Sequence, residues 1–245
     1  MAEITTGTTP DKKFRYDYRS YALRRRLCRL AMHILAFPAM ARIHSVEGLE
    51  NIPSSGPVIL CYNHINFIDP FVTLHVLERD VIPLAKIEAF SYPIVGILPR
   101  IYGAIPVHRG EVDRRALQAS LDVLAQNEMI LISPEGTRND ALIKGRPGTV
   151  FIAYHAGSPP IVPIGIDNTI GFPTYPFSRR WRQTGADIKF GRPFRFRLGP
   201  RRPGKEEMDR MTDEMMYTIA ELLPSHRRGV YSDLSRARQE TIEWL

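Results

Sequence analysis

The chain has 245 residues, of which 44% are hydrophobic, and this is enough for one sizeable core. Its formal net charge of +7 favours an anionic partner, whether nucleic acid, anionic lipid headgroups or a phosphorylated small molecule. The two cysteines, Cys28 and Cys61, argue against a disulfide scaffold and against a zinc site, and they fit a reducing compartment.

The N-terminal part of the chain is polar and then strongly basic. Residues 1–13 are predicted to be disordered, and residues 14–41 to form a helical segment that associates with a membrane. Between residues 11 and 29 there are eight basic residues and two acidic ones. A basic helix with an apolar stripe suits an interfacial membrane helix, but a surface helix with solvated arginines has the same pattern. The stripe consists of Leu23, Leu27, Leu30 and Ile34.

No stretch of the sequence predicts a transmembrane helix or a signal peptide. The longest nearly uncharged run, residues 147–166, is broken by Gly157-Ser158-Pro159-Pro160, which indicates a helix, a turn and a strand. Nucleic-acid binding also uses basic helices, but no helix-turn-helix, RNP or zinc-finger signature follows the basic segment. We therefore expect no nucleic-acid partner.

Residues 42–223 alternate between short apolar runs and amphipathic stretches, which is typical of an α/β domain. We predict a single mixed, largely parallel sheet flanked by helices. Residues 42–46 are expected to form an edge strand, and residues 224–245 a peripheral basic tail. The other predicted strands cover residues 57–62, 81–85, 104–107, 129–132, 161–166, 187–190 and 192–198, and the helices residues 70–77, 92–101, 111–127, 149–155 and 205–223.

A histidine and an aspartate follow the strand predicted at residues 57–62, where open α/β sheets bind their ligands. On a continuous helix, residues spaced like His64 and Asp69 would point roughly 140° apart. A contact between them needs a loop that bends back before the next helix, for which Asp69 is a suitable N-cap and Pro70 a suitable first residue. Asp69 would then orient His64 as a general base. The alternative is an ordinary helix cap beside an ordinary loop histidine.

Three further clusters follow predicted strands. Residues 103–109 end in an arginine, and residues 133–138 hold a glutamate, a glycine and an arginine. The glutamate can hydrogen-bond a hydroxyl-bearing substrate, and the arginine can neutralise a phosphate. The glycine allows the protein backbone to approach the substrate closely. Taken singly, each arginine is more simply interpreted as a surface residue. The third cluster, residues 162–166, has a proline inside a strand, which predicts a sheet edge or a bulge.

In this order, the four clusters resemble the four motifs of the glycerolipid acyltransferase family, whose best-known bacterial members are 1-acyl-glycerol-3-phosphate acyltransferases. The resemblance covers roughly residues 42–200, and Lys86-Ile87-Glu88 is similar to a further family stretch. Asn66 and Ser133 stand where the family usually has serine and phenylalanine. The matching motifs are Asn63-His64-Ile65-Asn66-Phe67-Ile68-Asp69, Gly103 to Arg109, Ser133-Pro134-Glu135-Gly136-Thr137-Arg138 and Val162 to Ile166.

The resemblance implies an O-acyltransferase that needs no cofactor or metal and uses acyl-CoA or acyl carrier protein as donor. His64, held by Asp69, would deprotonate the free hydroxyl of 1-acyl-glycerol 3-phosphate (lysophosphatidic acid), giving phosphatidic acid in phospholipid biosynthesis. Arg109 and Arg138 would bind the acceptor's phosphate, and Glu135 its hydroxyls. The other residues expected to bind substrate are Asn63, Lys86, Gly136, Thr137 and Lys144, with Arg146 adding charge.

The resemblance leaves the acceptor open. Glycerol 3-phosphate, a lysophospholipid or an aminolipid is the nearest alternative, although a phosphate-free acceptor leaves the two arginines without an evident role. A non-enzymatic basic protein that coats membrane or nucleic acid is a distant alternative. A hydrolase is disfavoured because no Gly-x-Ser-x-Gly elbow occurs and Cys61 is expected to face inward. We expect a peripheral or monotopic protein on the cytoplasmic face of the cell membrane.

Overall fold

A mixed β-sheet lies at the centre of the protein. The computed structural model describes residues 16–36, 42–93, 96–109, 113–169, 185–199 and 201–245. The strands within these residues are β1 Ile43–Glu47, β2 Val58–Tyr62, β3 Val81–Lys86, β4 Ile105–Val107, β5 Met129–Ile132, β6 Ile161–Asp167, β7 Ala186–Phe190, β8 Phe194–Phe196 and β9 Ile242–Trp244. The predicted disordered segment, residues 1–13, lies outside the described residues.

The strand order is β1-β7-β6-β2-β5-β3-β4, with β8 beside β6 and β9 beside β8. Five of the strand pairs are parallel, and the three pairs β6–β7, β6–β8 and β8–β9 are antiparallel. The predicted fold class is therefore confirmed, and β1 is an edge strand as predicted. Because β2 to β6 all run parallel, their carboxyl ends meet at one edge of the sheet, where the predicted clusters lie.

Helices cover both faces of the sheet. Strand β2 shows how, because successive residues of a strand point to opposite faces. Ile59 and Cys61 face one buried cluster, while Leu60 and Tyr62 face another, so every residue of β2 is buried. The helices are α1 Ala22–Ala31, α2 Asp69–Val76, α3 Ile97–Tyr102, α4 Arg114–Ala125, α5 Gly148–His155 and α6 Lys205–Glu221.

The helix predicted at residues 92–101 begins later than expected. A 3₁₀ turn covers Ile87–Ser91, and α3 starts only after Gly96. A Cβ atom at Gly96 would lie 2.6 Å from the carbonyl oxygens of both Phe90 and Tyr92, so this position requires glycine. The backbone of Tyr92 is extended, with φ −64° and ψ 133°, so no helix begins at this residue.

Pro163 does not mark an edge or a bulge, contrary to the prediction. Strand β6 lies inside the sheet, with β2 on one side and β7 and β8 on the other. Pro163 falls where β6 changes partner, because Ile161 pairs with β8 and Ile164 pairs with β7. Its carbonyl accepts a hydrogen bond from the amide of Gly191 at 2.8 Å. The N–H that proline lacks would face the same gap between two partner strands, so its loss costs no ladder bond.

The C-terminal residues 224–245 were predicted to be a peripheral tail, but this prediction is wrong. They are part of the fold. Strand β9 pairs with β8, and both Tyr231 and Ile242 are buried in the core. Tyr231 also accepts a hydrogen bond from the amide of Gly145 at 3.2 Å and donates one to Asp213 at 2.8 Å. The prediction was based on the high basic content of this segment and did not account for its few apolar residues that pack into the core.

Helix α1 is present within the predicted N-terminal segment, and a π-helical turn at Met32–Ala36 follows it. Residues 37–41, which belong to the same predicted segment, lie outside the described residues. The stripe side chains are exposed to solvent by 56–70% of their surface and do not pack on the core. These side chains are Leu23, Leu27, Leu30 and Ile34.

The arginines of α1 divide into two pairs. Arg24 and Arg26 are exposed. Arg25 is completely buried, with its guanidinium 4.2 Å from the centre of the Tyr18 ring. Arg29 forms a 2.7 Å ion pair with Asp80. The prediction that these arginines as a group meet headgroups is therefore wrong for Arg25, which anchors α1 to the domain.

Within the residues that the structure describes, none of the helices has the length and the apolar content that a membrane-spanning helix requires.

Candidate active site

His64 and Asp69 are in contact at the carboxyl end of β2. His64 Nδ1 lies 2.9 Å from Asp69 Oδ2. The same carboxylate oxygen accepts hydrogen bonds from the backbone amides of Ile65 and Asn66, each at 2.7 Å. The loop therefore bends back around the carboxylate before α2 begins, as the dyad prediction requires. Because Nδ1 is held, Nε2 is the ring nitrogen left to exchange a proton.

Asp69 does not cap α2, contrary to the prediction. It is the first residue of the helix, and Ile68 occupies the N-cap position. The Asp69 carboxylate is completely buried and points back into the loop. Its second oxygen, Oδ1, accepts a hydrogen bond from the Thr169 hydroxyl at 2.6 Å. Sequence reasoning missed Thr169, because no local pattern links it to a motif 100 residues away.

Glu135 supports the backbone of His64 and does not line the cavity. Its Oε2 accepts a hydrogen bond from the His64 amide at 3.1 Å, and its Oε1 accepts one from the Ile143 amide at 3.1 Å. The side chain is buried, and burial raises the pKa of this carboxyl group above its usual range. The prediction that Glu135 binds the acceptor's hydroxyls therefore has no support in this geometry. Glu135 is a positioning residue.

Asn63 has a similar internal role. Its Nδ2 donates to the carbonyl of Ile166 at 2.8 Å, and its Oδ1 accepts from the amide of Ile166 at 2.7 Å. The side chain is 3% exposed, so all of its polar contacts are within the protein. Asn63 links the end of β2 to β6, and this geometry gives no support to the predicted substrate contact.

His64 lines a cavity of about 760 Å³. Much of the wall is apolar, and it includes Cys28 of α1 and Met32 of the π-helical turn that follows. Phe67, Phe71 and Leu74 of the loop after β2 and of α2 form another part of the wall. A concave apolar surface next to His64 is suited to a hydrocarbon chain.

The cavity also brings together five of the residues predicted to bind substrate. Gly136 has a left-handed backbone with φ +68°, and its bare Cα lies against Arg146, which a Cβ atom would contact at 3.4 Å. Lys144, by contrast, is exposed and is not among the described residues of the wall, so the structure does not place it at the site. The five residues are Lys86, Arg109, Gly136, Thr137 and Arg138.

The cations of the wall gather where the cavity meets solvent. Arg109, Arg138 and Arg146 are all exposed. Within the described part of the chain, no carboxylate forms an ion pair with any of the three. Partial loss of water lowers the pKa of Arg109. The negative charge of Glu88 raises this pKa, and the positive charges of Arg146 and Arg138 lower it. Positive charge that no ion pair among the described residues neutralises favours an anionic ligand.

Neither cysteine has the environment of a nucleophile. Cys61 is completely buried, and burial raises the pKa of its thiol far above the usual range. Cys28 lines the cavity, but burial also raises the pKa of its thiol. Because the thiolate is the reactive form, both side chains are expected to be inert.

The comparison with known families agrees with this geometry. A model of the Acyltransferase family matches residues 44–167, which hold the whole dyad and both arginine clusters. The chain belongs to the Acyltransferase family. The family resemblance predicted from the four motifs is thus confirmed.

Similar members of this family act on lipids, by their names. A 1-acyl-sn-glycerol-3-phosphate acyltransferase of Chlamydomonas reinhardtii is 34% identical over 154 residues, which are 58% of this chain and 45% of that protein. The chain therefore spans less than half of this relative's length. A lyso-ornithine lipid O-acyltransferase of Rhizobium meliloti is 33% identical over 87 residues, covering 34% of this chain and 29% of that protein.

The fold is also similar to a solved structure. The 1-acyl-sn-glycerophosphate acyltransferase of Thermotoga maritima superposes with a TM-score of 0.52 at 26% sequence identity, and the match covers 72% of this chain and 70% of that one. The similarity in fold thus extends beyond the residues that carry the motifs.

Proposed function

We propose that the protein transfers an acyl chain from a thioester donor to the free hydroxyl of lysophosphatidic acid, giving phosphatidic acid. One observation carries this proposal: His64, whose Nδ1 lies 2.9 Å from Asp69 Oδ2, lines an apolar cavity that also has exposed cations in its wall. A lysophosphatidic acid has one acyl chain and one phosphate, and the apolar wall and the arginines match these two parts. The relatives named for this activity support the same acceptor.

The chemistry follows from the position of His64 Nε2. This nitrogen takes the proton of the acceptor hydroxyl while the oxygen attacks the thioester carbonyl. The new C–O bond forms, the C–S bond breaks, and the proton passes to the leaving thiolate. The reaction balances without a cofactor and without an acyl-enzyme. Asp69 holds the imidazole in place and stabilises its protonated form.

The direct test is to offer the purified protein lysophosphatidic acid with acyl-CoA or with acyl-loaded acyl carrier protein. Thiol release that depends on the acceptor, together with phosphatidic acid as product, supports the proposal and identifies the donor. Lysophosphatidic acid that stays unacylated with both donors contradicts it.

An aminolipid acceptor is the second candidate, because one similar relative is named for a lyso-ornithine lipid. Such an acceptor lacks the phosphate that lysophosphatidic acid offers to the cations at the cavity opening. The same assay with a lyso-ornithine lipid in place of lysophosphatidic acid separates the two candidates by their ratio of kcat/KM.

We expect Arg138→Ala to raise the KM for lysophosphatidic acid about tenfold and to change kcat little, because a charge-assisted hydrogen bond to the phosphate is lost. Steady-state kinetics with varied acceptor measure this. The matched control is Lys144→Ala, which removes another exposed positive charge that lies outside the described cavity wall. An unchanged KM in Arg138→Ala removes the arginine from the phosphate site.

We also propose that α1 docks the protein on the cytoplasmic face of the cell membrane. Four apolar side chains of the N-terminal helical segment are exposed, and Arg24 and Arg26 lie exposed beside them. Cys28 and Met32 connect the same segment to the cavity wall, so a docked lipid has a short path to His64. Apolar side chains at the acyl boundary and arginines at anionic headgroups would each stabilise the docked state.

The double substitution Leu27→Glu and Leu30→Glu is expected to weaken binding to vesicles of phosphatidylglycerol and phosphatidylcholine about a hundredfold or more, since each buried leucine contributes roughly 1.5–3 kcal/mol. Co-flotation with the vesicles measures the bound fraction. Val230→Glu, at an exposed apolar residue near the C-terminus, is the control and is expected to bind normally. Equal binding of the double variant and wild type contradicts docking through α1.

A further inference from the structure

A second histidine–aspartate pair lies in the same cavity. His108 directly follows β4, Asp113 directly precedes α4, and the two are five positions apart, as His64 and Asp69 are. His108 Nδ1 lies 2.8 Å from Asp113 Oδ2, which also accepts a hydrogen bond from the His108 amide at 2.8 Å. Both side chains belong to the cavity wall.

The aspartate of this pair is fixed by the helix that it caps. Asp113 Oδ1 accepts hydrogen bonds from the amides of Arg115 and Ala116, each at 3.0 Å, and the side chain is only 8% exposed. The carboxylate therefore holds His108 Nδ1 in one place. Nε2 of the same ring is left for a ligand, on a side chain that is 56% exposed.

The charges around His108 favour a role in binding an anion over a role in transferring a proton. Arg109 is the next residue in the chain, and Asp113 is the single carboxylate among the described residues of the wall. An imidazolium whose Nδ1–H is bound by Asp113 has an Nε2–H donor and a positive charge to offer. The other cations of the wall are Lys86, Arg138, Arg146 and Arg202.

The exposure of His108 also differs from that of His64, which argues against His108 as a second general base. His64 is 15% exposed and Asp69 fully buried, whereas His108 is more than half exposed beside Arg109, where the cavity meets solvent. One base is enough for one acceptor hydroxyl. An exposed ring nitrogen beside Arg109 is better placed to bind the charged end of a substrate.

We propose that His108, held by Asp113, binds a phosphate monoester of a substrate together with Arg109. This inference rests on the proposed function, because it assigns a residue to the phosphate end of that reaction's substrates. The phosphate can belong to lysophosphatidic acid or be the 3′-phosphate of the CoA donor. The two sources have the same chemistry and are separated by experiment.

The test measures equilibrium binding, so that it does not depend on turnover. The dissociation constants of lysophosphatidic acid and of its phosphate-free analogue monoacylglycerol are compared, and likewise those of CoA and 3′-dephospho-CoA. We expect His108→Gln to weaken binding of one phosphorylated ligand about tenfold and to leave its phosphate-free analogue unchanged. His108→Arg, which keeps a positive charge, is expected to restore most of the affinity.

Asp113→Asn extends the test, because asparagine also caps helices but carries no charge to support an imidazolium. It is expected to weaken the same ligand by a smaller factor while the protein stays folded by circular dichroism. The matched control is His44→Gln, which alters an equally exposed histidine, paired with Asp187 at 2.8 Å outside the described cavity wall. It is expected to bind every ligand as wild type does.

Which ligand loses affinity identifies the source of the phosphate. Unchanged affinity of His108→Gln for both phosphorylated ligands overturns the proposal, and so does an equal loss for the phosphate-free analogues. Transfer by the wild type is assayed separately. A protein that binds phosphate through His108 but does not acylate lysophosphatidic acid refutes the proposed function and leaves this inference standing.

Discussion

His64→Ala is expected to lower kcat for acyl transfer by about 10²- to 10⁴-fold, the usual contribution of a general base. The substitution removes the nitrogen that takes the acceptor's proton, and no described group of the cavity wall duplicates it beside Asp69. Binding of lysophosphatidic acid is expected to stay near the wild-type value, because the arginines at the opening are untouched. Thiol release under saturating substrates measures the loss.

His44→Ala is the control for this experiment, since it removes an exposed histidine that also contacts an aspartate but lies outside the described wall of the cavity. It should transfer at the wild-type rate. If His64→Ala folds and retains substantial activity, the dyad is not the catalytic centre.

Asp69→Asn is expected to lower kcat by about 10²- to 10⁴-fold with a smaller effect on folding. An asparagine oxygen in the place of Oδ2 keeps the amide contacts of Ile65 and Asn66, and the Thr169 hydroxyl can turn to accept from the new amide. What is lost is the negative charge that stabilises the protonated imidazole. A kinetic assay combined with thermal unfolding separates the two effects.

Two companion variants make this comparison sharper. Asp69→Ala removes the acceptor of four buried or partly buried donors, so we expect it to lower the free energy of unfolding by several kcal/mol, at about 1–3 kcal/mol per unsatisfied group. Thr169→Val removes only the bond to Oδ1 and should reduce kcat far less than Asp69→Asn. Wild-type turnover in a folded Asp69→Asn protein contradicts the role assigned to the charge.

The sequence predicted the framework of the site because that framework is local. The apolar run of β2, the polar residues after it and Pro70 lie within fourteen consecutive residues, 57–70, and local spacing was enough to require a loop that brings His64 onto Asp69. The cations Arg109 and Arg138 were also predictable, since parallel strands bring their carboxyl ends to one edge.

The direction of buried polar side chains was not predictable in the same way. Glu135 and Asn63 stand in motifs that suggest substrate contacts, yet both bond to the backbone of the protein. A buried polar group takes the nearest unpaired donor or acceptor, and which group is nearest depends on the folded chain. Thr169 could not be found for the same reason, because its partner is distant in sequence.

The pairing of strands that are distant in sequence was also not predictable. Pro163 suggested an edge because proline lacks an amide donor, but it lies where β6 changes partner from β8 to β7. The C-terminal residues looked peripheral from their charge, although β9 completes the sheet beside β8. Both features depend on which strands become neighbours, and local composition does not contain that information.

In the proposed reaction, the acyl chain passes directly from the thioester to the acceptor hydroxyl, with His64 as base. Intact-mass spectrometry of the wild-type protein after mixing with acyl-CoA tests it most directly, with thiol release followed in parallel. We expect no acylated protein at any time, and thiol release only after lysophosphatidic acid is added. A protein that gains the mass of the acyl chain, and then loses it to lysophosphatidic acid, would show an acyl-enzyme and rule out direct transfer.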